Sequence, residues 1–261
     1  MPESALPEGP GRALVPARNP PVAPGRAAVL AVSIVIPTFN EAAIGALLGY
    51  LWRDAAGDGA LEIIVADGGS TDATPALAAR AGARVLRCPR KGRAAQLNHG
   101  AQAAAGPILY FLHADTYPPP GFLADIRRAV AQGAGSGCYR LAFDHPHWFL
   151  RANAWMTRFP LQAVRFGDQS LFVTKALFEQ IGGYREDLLV MEDQEIVGRL
   201  GARAPFRVLP RAATTSARKY LENGVYRLQG AFAVIALLYR LGVSQPRLVR
   251  VYRFLIWQDK L

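Results

Sequence analysis

Four short apolar runs in the first half of the chain each stop dead at a polar turn: AVSIVI at Pro37, LEIIVA at Asp67, ARVLRC at Pro89 and ILYFL at His113. None is long enough for a buried helix, and β-branched residues dominate the first two, so each reads as a strand buried on both faces. Between them lie stretches with helical spacing: Glu41 to Trp52, an alanine-rich segment from about Pro75, and GRAAQLNHGAQAAAG with Gly106 as its expected C-cap. GFLADIRRAVAQG follows the last run. Strands alternating with helices in this way predict a mainly parallel sheet covered by helices. Such sheets bind ligands in the crevice beyond the carboxyl ends of their strands. Pro37-Thr38, Asp67 to Asp72 and His113 to Thr116 all fall at that edge. Three polar clusters at three strand ends therefore predict one site.

The second half changes character. GSGCYRLAFD reads as a strand, HPHWFLRANAWMTRF as an aromatic helix, and GDQSLFVTKALFEQIGGY as strand, helix and Gly-Gly turn. Glu192 and Asp193 open a further helix. An apolar stretch from Ala231 to Tyr239 is far shorter than the ~20 residues that cross a bilayer, so no transmembrane helix is expected. Packing beneath the sheet is the simpler expectation for it, and an amphipathic element on the inner membrane leaflet is the alternative.

With 261 residues, 51% of them hydrophobic and 19% charged, the chain is expected to bury a substantial core. Seven of the nineteen prolines lie in residues 1–30, which show no periodic pattern and read as a flexible tail. That segment lacks the continuous apolar core of a secretory signal. Two cysteines, Cys88 and Cys138, make neither a disulfide framework nor a zinc ligand set, which points to a reducing, cytoplasmic setting. The net charge of +10 is uneven: from Arg203 onward there are eleven Lys/Arg and two acids. Such a region is either a solvated surface or a face that meets phosphates, on a substrate or on anionic lipid.

Each polar cluster carries its own chemistry. In VADGGSTDAT, Asp67 ends a strand and the glycines let the backbone approach a ligand, while Ser70, Thr71 and Asp72 suit a helix N-cap. Asp67 is either part of a capped loop or an acceptor for a base or ribose. Neither a phosphate-binding P-loop nor a dinucleotide fingerprint follows a strand here. Arg90, Lys91 and Arg93 stand at a helix start, where backbone N–H groups already favour anions. A carboxylate at the tip of a buried strand, as Asp115 is, needs a partner, and Mg²⁺ or Mn²⁺ takes a few carboxylate oxygens together with substrate phosphates. A capped proline turn is the plainer role for Asp115. In MEDQEI two adjacent acids begin a helix, and neighbours on a helix point apart, so one of them is expected to face the pocket as a general base.

Together, SIVIPTFNE, VADGGSTDAT, RKGRAAQLNHG, FLHADT and MEDQEI resemble family 2 glycosyltransferases of the GT-A fold, in the same order and at similar spacing. The resemblance implies a nucleotide-diphosphate-sugar donor, a divalent metal (Mg²⁺ or Mn²⁺) and inverting transfer to an acceptor hydroxyl. By position it implies nucleoside contacts from Pro37, Thr38, Glu41 and Asp67, with Lys91 and Arg93 near the base or ribose. It further implies Asp115 as metal ligand, Asp193 with Glu192 as the catalytic pair, and Arg218 and Lys219 beside the leaving diphosphate. Asp168 and Gln169, in the GDQ of the small non-processive bacterial members, fall on the acceptor side.

Two departures from the family pattern stand out. His113 occupies the first position of the Asp-x-Asp metal motif, as a second ligand or a hydrogen-bond partner of the donor. The Gln-x-x-Arg-Trp motif of processive synthases is absent, and ARKYLENGVYR lies in its place. The expected organisation is a tail (1–30), a GT-A domain (31–218, nucleotide-binding to 117 and acceptor-binding beyond) and a basic helical extension (219–261). The acceptor is either soluble, lipid or lipid-linked, and no nucleic-acid partner is expected. Competing readings are a nucleotidyltransferase, whose glycine- and arginine-rich loop is missing from PTFNEAA, and a non-catalytic nucleotide- or membrane-surface-binding protein.

Overall fold

The structure, a computed structural model, describes residues 31–56, 58–159, 165 and 169–257. Its first half runs β1 (Val32–Thr38), α1 (Ile44–Asp54), β2 (Leu61–Asp67), α2 (Thr74–Arg80), β3 (Arg84–Arg87), α3 (Arg93–Ala103) and β4 (Ile108–Phe111). There follow β5 (Thr116–Tyr117), α4 (Phe122–Ala131), β6 (Ser136–Phe143), α5 (Trp148–Met156), β7 (Leu171–Thr174), α6 (Lys175–Gln180) and α7 (Glu192–Gly201). The chain closes with β8 (Phe206–Thr215), α8 (Arg218–Asn223), α9 (Val225–Arg240) and α10 (Gln245–Leu255).

The strands form one sheet in the order β3-β2-β1-β4-β7-β6-β8-β5. β1 pairs parallel with β2 and β4, and β2 with β3, so the four apolar runs lie side by side and end at one edge. β7 is antiparallel to β4 and to β6, and β8 runs parallel to β6. Because side chains alternate across a strand, the sheet sorts its own residues into two cores. Ile34, Ile36, Val65 and Tyr110 join the layer under α1, α2 and α4, whereas Val35, Ile64, Leu109 and Phe111 join the layer under α3, α6 and α7.

Two expectations are corrected here. Gly106 is not the C-cap of α3, which ends at Ala103 with Ala104 in an extended conformation. Gly106 instead lets its backbone approach β1: its N–H donates to Ser33 Oγ at 2.9 Å, and an added Cβ would lie 3.0 Å from the Ala31 carbonyl oxygen. Likewise α9 does not pack beneath the sheet. It joins α10 in a third apolar cluster, built on Leu228, Ala231, Ile235, Leu248 and Ile256, which reaches the loop before α7 through Val190. Its outward side is left exposed at Val234 and Leu237. Among the described residues no helix is long and apolar enough to cross a membrane.

Candidate active site

The carboxyl ends of β1 and β2 meet at Thr38 and Asp67, which are register partners. Asp67 is buried. Its Oδ2 accepts the N–H groups of Gly69 and Ser70, both at 3.0 Å, while its Oδ1 accepts from the Ser70 hydroxyl and, at 3.4 Å, from Thr38 Oγ1. Four donors fill the lone-pair sites of a carboxylate. Asp67 therefore shapes the Asp-Gly-Gly-Ser turn, and a ligand would have to displace one of those donors to reach it. Gln96 on α3 was not anticipated from the sequence. Its Nε2 donates at 2.8 Å to the carbonyls of both Thr38 and Ala66, tying the two strand ends together. Asp72 is not the N-cap of α2, a place that Ala73 takes without a side-chain bond; its Oδ1 accepts the Thr74 N–H at 2.9 Å from one position earlier.

Around this edge stand the other donor-side candidates. Pro37 occupies the penultimate position of β1. The Glu41 N–H donates to Thr74 Oγ1 at 2.8 Å, and its Oε1 lies 3.4 Å from the Arg218 guanidinium, so the start of α8 folds back onto the first loop. Lys91 Nζ sits 4.9 Å from the centre of the Phe39 ring. Lys219, by contrast, turns away. Its Nζ bonds the Tyr252 hydroxyl and lies over the Phe232 and Tyr252 rings, within the α9–α10 hairpin.

A pocket opens beside the ends of β4 and β7. His113, Arg93, Arg165, Gln169, Glu192 and Asp193 contribute to its lining. The expectation that one acid of the Glu-Asp pair faces inward is corrected, because both line it. The reason is local: Met191 adopts a left-handed φ of 69°, α7 begins immediately afterwards, and the two acids occupy its first turn at the pocket wall. Glu192 is almost fully buried and meets Arg93 Nη1 at 3.1 Å. Burial raises its pKa, Arg93 and His113 oppose that, and the Asp193 charge adds to it. Buried Tyr184, from the Gly-Gly turn, also lines the pocket, and burial followed by the charges of Asp193 and Glu192 holds its hydroxyl protonated far above the ordinary range.

Arg165 is a functional candidate that the sequence reading missed. Its buried guanidinium donates to the carbonyls of Thr157 and Phe159 and, at 3.0 Å, to Gln169 Oε1. Gln169 Oε1 also accepts from Cys138, whose thiol burial pushes up to about 12. Gln169 thus anchors the pocket floor. Asp168 lies outside the described residues. No local pattern marks Arg165 in QAVRFG; only its isolation among apolar residues sets it apart.

His113 and Asp115 share the turn between β4 and β5. That turn is closed by Thr116 N–H to the His113 carbonyl at 3.2 Å and by Ser216 N–H to the Asp115 carbonyl at 3.2 Å. β5 then pairs antiparallel with the end of β8. Among the described residues no group of three or more His, Cys, Asp or Glu is arranged to hold a metal ion. Among the described residues the donor set offered is therefore two at most. That suits Mg²⁺ or Mn²⁺, which take few protein ligands and fill the rest with water and substrate phosphate.

The family model for Glycosyl transferase family 2 matches residues 33–184. The chain belongs to that family. As a family 2 glycosyltransferase it is an enzyme of the transferase class, and the matched span takes in the strand ends, the basic turn and the His113–Asp115 turn but stops before Glu192. No curated protein matches the chain. Among solved structures, the mannosyltransferase PcManGT from Pyrobaculum calidifontis, in complex with GDP-Man and Mn²⁺, superposes with a TM-score of 0.65. It shares 20% identity, over 85% of this chain and 69% of that one. S. aureus TarS 1–349 in complex with UDP-GlcNAc gives a TM-score of 0.59 at 17% identity, over 71% of this chain and 58% of that one. Likeness at such identity establishes the GT-A fold: a curled, mainly parallel sheet flanked by helices.

Proposed function

We propose that this glycosyltransferase moves a sugar from a nucleotide-diphosphate donor to an acceptor hydroxyl with inversion, and that Asp193 takes the hydroxyl proton. One observation carries the reading: Asp193, Glu192, His113 and Arg93 line a single pocket at the carboxyl edge of the sheet. In the transfer the acceptor oxygen bonds to the anomeric carbon as the bond from that carbon to the diphosphate oxygen breaks. The electron pair leaves with the nucleoside diphosphate and the proton passes to Asp193. Glu192, buried against Arg93, holds that guanidinium at the pocket wall rather than moving a proton.

The nucleotide falls to the edge formed by Pro37, Thr38, Glu41, Asp67 and Lys91, with the first turn of α3 beside it. Asp115, and His113 with it, would hold a divalent cation, whose chemistry is to neutralise charge gathering on the departing diphosphate. Arg218 adds fixed positive charge on the same side. GDP-Man and Mn²⁺ in one structural neighbour and UDP-GlcNAc in another support a donor and metal of these kinds.

The test is calorimetric titration of the protein with a panel of nucleotide-diphosphate sugars, with and without Mn²⁺, beside Asp115→Ala, followed by transfer or donor-hydrolysis assays on Asp193→Asn. One donor should bind in a manner dependent on both metal and Asp115. Asp193→Asn should keep that binding and lose about 10²-fold or more in turnover. Turnover by Asp193→Asn at the unmodified rate would remove Asp193 as base, and donor binding indifferent to metal and to Asp115 would remove the cation.

A further inference from the structure

The face that α9 turns outward is apolar between an exposed arginine near each end. Tyr226, Gly230, Ala233, Val234 and Leu237 are exposed, and Leu241 beyond the helix end is 70% exposed. These positions recur at helical spacing, so they form one stripe. The helix carries only two charges, Arg227 and Arg240, one near each end. α5 lies alongside. Asn153 Nδ2 donates to Gln229 Oε1 at 3.1 Å, and the Trp148 ring stands 6.3 Å from that of Tyr226. α5 has an outward stripe of its own, with Trp148 65% exposed and Trp155 and Met156 also open. At the same end of the hairpin the chain after α10 is clipped to Asn223, whose side chain bonds both backbone groups of Trp257, and Trp257 is 76% exposed.

Tryptophan and tyrosine exposed beside aliphatic residues form the composition of a membrane-interface belt, where amphipathic rings sit at headgroup level. The charges around them are mainly positive. Arg151 and Arg158 flank the α5 stripe, with Arg158 over the Trp155 ring at 4.6 Å, and α10 exposes Arg247 and Arg250. From Lys219 to Trp257 the only acid is Glu222. An exposed apolar strip rimmed by arginines complements a surface that is apolar below and anionic above.

We propose that α5, α9 and the end of α10 form a surface that seats on an anionic lipid bilayer, the rings and aliphatic side chains entering the headgroup boundary and the arginines meeting lipid phosphates. The surface connects to the pocket. Val190, two residues before Glu192, belongs to the same apolar cluster as α9 and α10. The proposal rests on the transferase reading only for its purpose, which is to bring the site to an acceptor hydroxyl presented at the membrane.

The experiment is co-sedimentation with vesicles, without donor, comparing pure phosphatidylcholine with a mixture rich in phosphatidylglycerol at low and high salt. Leu237→Glu, Trp148→Ala and Arg250→Glu are tested alongside, each also titrated with donor by calorimetry and sized by analytical ultracentrifugation. The expected result is binding to the anionic vesicles only, reduced about tenfold by each of the three substitutions and by high salt, with donor affinity unchanged. Lack of vesicle binding at low salt overturns the proposal. So does a dimer that Leu237→Glu splits while vesicles are ignored, because the strip is then a subunit interface. Vesicle binding by a protein that takes no donor would leave the surface standing and sink the transferase mechanism alone.

Discussion

The side-chain amide of Gln245 closes on both backbone groups of Val190. Its Oε1 accepts the N–H of Val190 at 3.2 Å and that of Leu189 at 3.0 Å, while its Nε2 donates to the Val190 carbonyl at 3.3 Å. The first turn of α10 thereby fixes the segment that delivers Glu192 and Asp193, so a residue remote from the sheet positions the proposed base and its neighbour. Gln245→Ala removes all three bonds and is expected to cost about 1–3 kcal/mol in stability. It should also lower turnover about tenfold with little change in donor affinity, because a base displaced by about 1 Å transfers the proton less effectively. Measuring kcat and donor Kd beside thermal melts separates the two effects. A stability loss with unchanged kcat would reduce Gln245 to a scaffold residue.

Arg93 and Glu192 give a pH-dependent prediction. Burial raises the Glu192 pKa above its ordinary 4.5, and Arg93 is the main influence holding it down. An acid raised on folding binds its proton more tightly in the folded state, so stability falls as pH rises from 4.5 through the folded value. Without Arg93 that window extends upward. Arg93→Ala is therefore expected to cost about 1–3 kcal/mol near neutral pH, and less at about pH 5, when measured by urea unfolding. An equal deficit at both pH values would mean that the guanidinium acts by packing alone.

Arg218 and Lys219 are adjacent in sequence and opposite in role. Arg218 reaches Glu41 at the edge proposed for the donor, whereas Lys219 stacks within the C-terminal hairpin. Arg218→Ala should weaken donor binding about tenfold, the scale of one charge-assisted contact. Lys219→Ala should leave donor affinity unchanged and lower the melting temperature. Calorimetry on the two variants decides, and equal losses of affinity would place both cations on the diphosphate.

Gly100 sits where α3 crosses β1, and a Cβ there would lie 2.3 Å from Val35 Cγ1. Neither partner has room to yield, since Val35 is itself fully buried. Gly100→Ala is expected to destabilise by about 1–3 kcal/mol despite the better helix propensity of alanine. Chemical denaturation would show it, and Gly100→Ala combined with Val35→Ala should recover part of the loss.

What the sequence made legible was the sheet edge. Val, Ile and Leu runs broken by Pro37, Asp67 and His113 are local signals, and they located the strand ends and the motifs there. The pocket wall was less legible because it is made at long range. Arg165 and Tyr184 line the site from positions that no periodicity records, and Gln96 looks like any polar helix residue until its amide is seen bridging two strands. Gly106 was misread for a physical reason: a glycine after a helix usually serves a left-handed turn, whereas this one makes room for Ser33. The joint orientation of Glu192 and Asp193 depended on the positive φ of Met191, a conformation that methionine rarely adopts and that its sequence context does not announce.

The turn that carries Asp115 is sealed by residues far ahead of it. Thr116 and Thr215 exchange a hydroxyl hydrogen bond at 2.9 Å across a separation of 99 residues, and Ser216 closes the same turn. A chain emerging from the ribosome can form β1 to β4 from neighbouring contacts, but the turn of Asp115 must wait until β8 has been made. Assembly order follows from that seal: a nascent or truncated chain ending before Thr215 would carry the strand ends of β1, β2 and β4 without the hydroxyl bond that closes the turn of Asp115.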